Sequence, residues 1–253
     1  MIHLIKYDVR RNATLLSAGA IILLVALAAI LIVGKWKDWG FLTIYLTSIM
    51  LIMMTGVLGF VMVCNTYRKN ITSYSRRLLP LPSIYAALTP IAVLIGMELA
   101  LISVYVLYDA VLSSWGGFDA TLLQVAKENI TASGWFSILF TFIWFSVCLT
   151  ALLFFSMTVT ETIKGKGGAW LGIAVFFGIA FGLSMLQSYL FPSSNGGGGT
   201  DFIGYQILEE SGAATVSFGG LESINWASFA VDAVIVALLF AGISYLLNRK
   251  VKV

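Results

Sequence analysis

Thr14 to Val33 reads TLLSAGAIILLVALAAILIV, a run with no charged side chain. A helix needs about 20 apolar residues to cross the hydrocarbon core of a bilayer. This segment meets that length, and its neighbours repeat the pattern. Further apolar runs occupy Phe41 to Val63, Ser83 to Tyr108, Trp135 to Met157, Ala169 to Leu190 and Trp226 to Leu247. Glu98 interrupts the third run and Asp232 the sixth. None alternates with period two, so a β-barrel is not expected. The reading is an all-α integral membrane protein of six transmembrane helices, forming a single transmembrane domain over 1–253.

Composition points the same way. The 253 residues are 59% hydrophobic and only 11% charged, with a mean hydropathy of +0.95. A soluble domain carries about a quarter charged residues. So depleted a chain has too few polar groups to cover a water-facing surface, and lipid must solvate much of it. A cleavable signal peptide is not expected, because the first apolar run is long and no small-residue cleavage site clearly follows it.

Basic residues set the orientation. Six spans place both termini on one side. All 15 lysines and arginines except Lys35, Lys37 and Lys127 then fall on that side. They sit at Lys6, Arg10 and Arg11, at Arg68, Lys69, Arg76 and Arg77, at Lys164 and Lys166, and at Arg249, Lys250 and Lys252. Both termini are therefore expected in the cytoplasm. Asp38, Asp109, Asp119, Glu128, Asp201, Glu209, Glu210 and Glu222 are expected outside.

The connecting segments carry their own signals. Over 1–12, Ile2, Ile5 and Val9 share one helical face, and Lys6 and Arg10 another. That pattern suits an amphipathic helix in the membrane interface, or a simple basic flank of the first span. The segment 64–82, CNTYRKNITSYSRRLLPLP, is the largest cytoplasmic loop. Its composition suggests a short helix near Thr72 to Leu79, ended by Pro80 and Pro82. It reads either as a docking element for a cytoplasmic partner or as a solvated basic loop. Segments 109–134 and 191–225 are expected to be extracellular. In the former, Phe118, Leu122, Ala126 and Ile130 repeat every four residues. The latter contains SSNGGGGT, a glycine hinge, and over Ile203 to Glu222 short helices that dip toward the membrane are expected.

No catalytic constellation is present. Gly165-Lys166-Gly167-Gly168 lacks the upstream glycine and the Ser/Thr of a phosphate-binding loop. There is no metal-protease, CxxC or serine-hydrolase motif. Cys64 and Cys148 suggest buried hydrophobes rather than a disulfide. One histidine, His3, makes a histidine-based metal site unexpected. No catalytic, cofactor-binding or metal-binding residue is therefore assigned, and no nucleic-acid partner is expected. Two polar candidates remain inside the spans, Glu98 and Asp232. A carboxylate at the bilayer centre costs about 2.5–3.5 kcal/mol on insertion scales, so each should face protein or water. Each reads either as a proton or substrate contact or as a hydrogen-bonded strut between helices.

Several stretches resemble one transporter family. MIHLIKYDVRRN resembles the cytoplasmic elbow helix that opens permeases of the ABC-2 type. YRKNITSYSRRLLPLPSIYAAL resembles their connection between the second and third spans, and SYLLNRKVKV their short basic tail. The resemblance implies a permease subunit of a bacterial cytoplasmic membrane exporter with no nucleotide site of its own. Two permease copies, or one copy and a paralogue, would sit on two cytoplasmic ABC ATPase subunits. The coupling helix would fall on Arg68, Lys69, Tyr74, Arg76, Arg77, Leu78 and Leu79. The cargo would be an amphipathic peptide, lipid or drug, since the chain also resembles exporters of bacteriocins and of phenol-soluble modulins. The alternatives are a stand-alone proton-coupled secondary transporter, with Glu98 carrying protons, and a membrane assembly or sensor subunit that transports nothing.

Overall fold

The computed structural model describes residues 2–72, 84–116, 130, 132–162, 168–190, 205–210, 213–218 and 226–249. Six helices account for most of them: α1 (Ile2–Trp36), α2 (Phe41–Thr72), α3 (Tyr85–Gly116), α4 (Ala132–Thr162), α5 (Gly168–Leu190) and α6 (Trp226–Arg249). All six are long and apolar enough to cross a membrane. The first four exceed what the hydrocarbon core requires. α1 has 35 residues, roughly 52 Å at the helical rise.

The helices begin and end differently from the apolar runs. α1 continues without a break from the 1–12 segment into the first span. α2 runs on through Cys64, Arg68 and Lys69 to Thr72, so the first half of the 64–82 loop is helical. α3 extends to Gly116 and takes Asp109 inside it, where the sequence reading had an outer loop. Hydropathy ends at the edge of the lipid core, whereas backbone hydrogen bonding does not. Tryptophans mark that edge. Trp36, Trp39, Trp135, Trp170 and Trp226 all lie at helix ends with exposed rings, the position their amphipathic indoles favour at a membrane interface.

The helices gather into two compact units. One comprises α1, α2 to Asn70, and α3; the other contains α4, α5 and α6. In the first, Leu23 and Leu27 of α1 pack with Ile44 and Tyr45 of α2 and with Tyr108 and Leu112 of α3. Its α1–α2 turn is tight. Trp39 N–H donates to the Gly34 carbonyl at 2.9 Å, and Asp38 takes a left-handed φ of 50°, a helix C-terminal motif in which glycine is commoner. Gly34 itself is required by close approach, since a Cβ there would lie 2.8 Å from Ile44. Pro90 sits inside α3 and cannot donate to the preceding turn. The Thr89 hydroxyl before it donates to the Tyr85 carbonyl, the usual way a hydroxyl is satisfied within an apolar helix.

In the second unit, Ala151 and Leu152 of α4 pack with Val236 and Leu239 of α6, flanked by Phe176 and Ile179 of α5. Residues 205–218 depart from the expected short helices. They contain an antiparallel hairpin, β1 (Tyr205–Glu210) with β2 (Ala213–Phe218), in register from Tyr205↔Phe218 to Glu210↔Ala213. The reason is visible in residue type. In the sequence, apolar Ala214, Val216 and Phe218 alternate with Ala213, Thr215 and Ser217, the period-two pattern of a strand.

Candidate functional site

The expected coupling segment divides at Thr72. Tyr74, Arg76, Arg77, Leu78 and Leu79 lie outside the described residues. Arg68 and Lys69 lie in the last turns of α2, and both are exposed. The opposite face of the same turns is buried: Thr66, Tyr67 and Asn70 lose nearly all contact with solvent.

That buried face is fastened to α1 by polar side chains. Asp8 is fully buried. Asn70 Nδ2 donates to Asp8 Oδ2 at 3.3 Å, and Arg11 donates to Asn70 Oδ1 at 3.2 Å. The Arg11 guanidinium also lies 3.6 Å from Asp8 Oδ1. One turn further on, Asn12 Nδ2 donates to Thr66 Oγ1 and to the Asp8 carbonyl, each at 3.0 Å. Asp8, Arg11 and Asn12 fall on one side of α1 because residues three and four apart are neighbours on a helix. In low dielectric such a network is strong when its members are matched. The joint therefore ties the second and third turns of α1 to the end of α2 that displays Arg68 and Lys69. Its partners are separated by 54 to 62 residues in sequence, so no spacing motif could have revealed them.

A second polar cluster joins the first turns of α2 to the C-terminal part of α3 in the same unit. Ser48 donates to the Ile44 carbonyl at 2.8 Å. Its only proton is thereby used, so the Tyr108 hydroxyl, 2.6 Å away, is the donor to Ser48 Oγ. The Tyr45 and Tyr105 hydroxyls bond to each other, and Asp109 is buried in the same helix, one turn beyond Tyr105.

The two intramembrane carboxylates separate. Glu98 is half-buried on α3, with Oε2 enclosed by protein. Asp232 is buried on α6, where Gln187 of α5 donates Nε2 to Asp232 Oδ1 at 2.5 Å. Gln187 escaped the sequence reading because a single glutamine near a span end has no signature of its own. Cys64 and Cys148 are free thiols. Among the described residues, no group of His, Cys, Asp and Glu is placed to hold a metal ion.

No family model, curated protein or solved structure matches the chain. The functional reading therefore rests on the residues themselves.

Proposed function

We propose that the chain is the membrane-spanning permease subunit of an ATP-driven exporter, working with a separate cytoplasmic ATPase and a second permease copy or close paralogue. The observation that carries this reading is the joint at the start of α1 and the end of α2. A partner pulling on Arg68, Lys69 and the basic segment that follows would move α1 and α2 together, because Asp8, Arg11 and Asn12 bind Thr66 and Asn70. A stiff, charged helix end is what transmitting a nucleotide-driven motion requires. The distribution of basic residues supports a cytoplasmic position for this end.

Two surfaces support the rest of the reading. Ala174, Gly178 and Gly182 lie one turn apart on an exposed face of α5, the small-residue pattern that lets membrane helices approach closely. A second permease copy fits there. Met50, Met53 and Met54 are exposed on α2, and flexible thioethers adapt to varied apolar cargo. Amphipathic peptides, lipids and apolar drugs share that chemistry.

The test is charge reversal. Arg68→Glu with Lys69→Glu, and separately Arg76→Glu with Arg77→Glu, should leave membrane insertion intact while ATPase binding is lost or hydrolysis is uncoupled from export. Unchanged binding and export in both variants would refute the assignment. The buried Asp232 and half-buried Glu98 favour one competing reading, proton-coupled transport. Export that survives nucleotide depletion and collapses with the proton gradient would establish that reading instead.

A further inference from the structure

α4 handles its hydroxyl groups in two ways. Toward its C-terminal end, Thr150, Ser156, Thr158, Thr160 and Thr162 each donate to a carbonyl three or four residues back, at 2.7–2.9 Å. This is the usual way a hydroxyl is satisfied in an apolar helix. Toward its N-terminal end Ser137 and Thr141 depart from that habit. Ser137 Oγ and Thr141 Oγ1 are enclosed and have no hydrogen-bond partner among the described residues, and the same is true of Trp144 Nε1. Ser137 is 0% exposed. Residues 137, 141 and 144 share one face of the helix.

That face is turned toward α6. The Trp144 and Phe140 rings lie 4.5 Å and 5.4 Å from the Phe229 ring. Ser228 and Asp232 are buried on the same side of α6, and Gln187 reaches Asp232 from α5. Further along, Ala151, Leu152, Val236 and Leu239 close the interior with apolar packing. Trp144 is also out of place for its type. The other tryptophans with described rings stand at helix ends, whereas Trp144 lies three turns into α4.

Three enclosed donors without acceptors are costly in a dry interior, and buried polar groups are ordinarily satisfied by protein or by ordered water. We propose that this section of the α4–α5–α6 unit is a hydrated recess. A short file of water enters where α4 and α6 begin and ends at the Asp232–Gln187 pair, above the apolar plug. The chemistry fixes the direction of the bonds. An indole N–H can only donate, so water accepts from Trp144; the Ser137 and Thr141 hydroxyls likewise donate to water, whose own protons go to the Asp232 carboxylate and to neighbouring water. Buried water needs two to four polar partners, and Ser137, Thr141, Trp144 and Asp232 are the groups that would supply them. The recess keeps Asp232 in proton exchange with the aqueous phase on one side of the membrane and isolates it from the other. It depends on the geometry of this unit alone and holds whether or not the chain is an exporter.

Thiol accessibility tests it. In a background with Cys64→Ala and Cys148→Ala, single Ser137→Cys and Thr141→Cys substitutions are compared with Phe142→Cys, an exposed position on the same helix, and with Ala151→Cys in the plug. The probe is a charged, membrane-impermeant methanethiosulfonate added to either side of sealed vesicles. Thiolate is the reactive form and needs water, so the Ser137→Cys and Thr141→Cys thiols should react at least about tenfold faster than the two controls, and from a single side. Which side reports the orientation; the rate difference alone reports hydration. A measurement on the unsubstituted fold removes any dependence on those variants. In deuterium oxide, Raman spectra of the seven tryptophans should show every indole N–H exchanging, with the Trp144 signal identified by difference against Trp144→Phe. Recess thiols no more reactive than the controls, or a Trp144 indole that stays protonated, would overturn the proposal.

Discussion

At the Asp8 end of α1 and α2, buried polar side chains are bonded to one another; along Ser137, Thr141 and Trp144 of α4 they are not. Both clusters sit in helices dominated by Leu, Ile, Val and Phe, where a polar group must justify its desolvation. In the first unit, Asp8, Arg11, Asn12, Thr66 and Asn70 satisfy each other across two helices. The Tyr108–Ser48 and Tyr45–Tyr105 pairs do the same at the other end of α2. Matched clusters of this kind act as joints. In the second unit Gln187 and Asp232 form such a pair, whereas Ser137, Thr141 and Trp144 have no hydrogen-bond partner among the described residues. A cluster of that kind holds solvent. Two similar inventories of hydroxyls, amides and carboxylates thus serve rigidity in one unit and hydration in the other.

The largest expected effect comes from breaking the joint. Asp8→Leu strands Asn70 and removes the counter-ion of Arg11. Removing one partner of a buried charged pair costs about 3–5 kcal/mol. Arg11 keeps some solvent contact, so the lower end applies. Thermal unfolding in mild detergent should show the apparent melting temperature falling by several degrees, with Asp8→Asn closer to wild type. A melting curve for Asp8→Leu that overlays wild type would mean the joint contributes no rigidity.

Next is the Gln187–Asp232 pair of the second unit. Asp232→Leu leaves the Gln187 amide without its acceptor, a loss of about 1–3 kcal/mol, while Asp232→Asn retains a carbonyl oxygen to accept it. If both variants melt alike, the Asp232–Gln187 contact does not tie α5 to α6. Smaller again are Tyr45→Phe and Tyr108→Phe, each expected to lower stability by about 1 kcal/mol through one lost hydrogen bond. The smallest effect sharpens the contrast. Ser137→Ala removes a hydroxyl with no protein partner, so its stability should stay within about 0.5 kcal/mol of wild type. A loss comparable to Tyr108→Phe would place Ser137 with the matched clusters and erase the distinction.

Much of the fold is legible in the sequence because lipid imposes a length. Each apolar run had to form a helix, and six of them do. What the sequence concealed follows from the same physics. Arg68, Lys69 and Asp109 look like loop residues by hydropathy, yet helical backbone continues through them once it leaves the lipid core. The mixed composition of 203–222 suggests short helices, whereas the alternation of Ala214, Val216 and Phe218 with Ala213, Thr215 and Ser217 suits the strand pairing found there. Asp232 stood out because a carboxylate in an apolar run is conspicuous, whereas Gln187, Asn12 and Asn70 did not. Amides are tolerated near span ends, and their partners lie far away along the chain. Ser137, Thr141 and Trp144 were invisible for a further reason. Hydroxyls and indoles are common in membrane helices, and only the missing acceptors distinguish these three from Thr150 or Thr158.

The exporter reading is tested most directly by purifying the tagged chain from its own membrane in mild detergent, then identifying bound subunits and measuring nucleotide hydrolysis. The account predicts two permease subunits with a cytoplasmic ATPase, and loss of that ATPase on reversing Arg76 and Arg77 to glutamate. A chain that purifies with no ATPase and no ATP hydrolysis, from cells in which its transport follows the proton gradient alone, would contradict it.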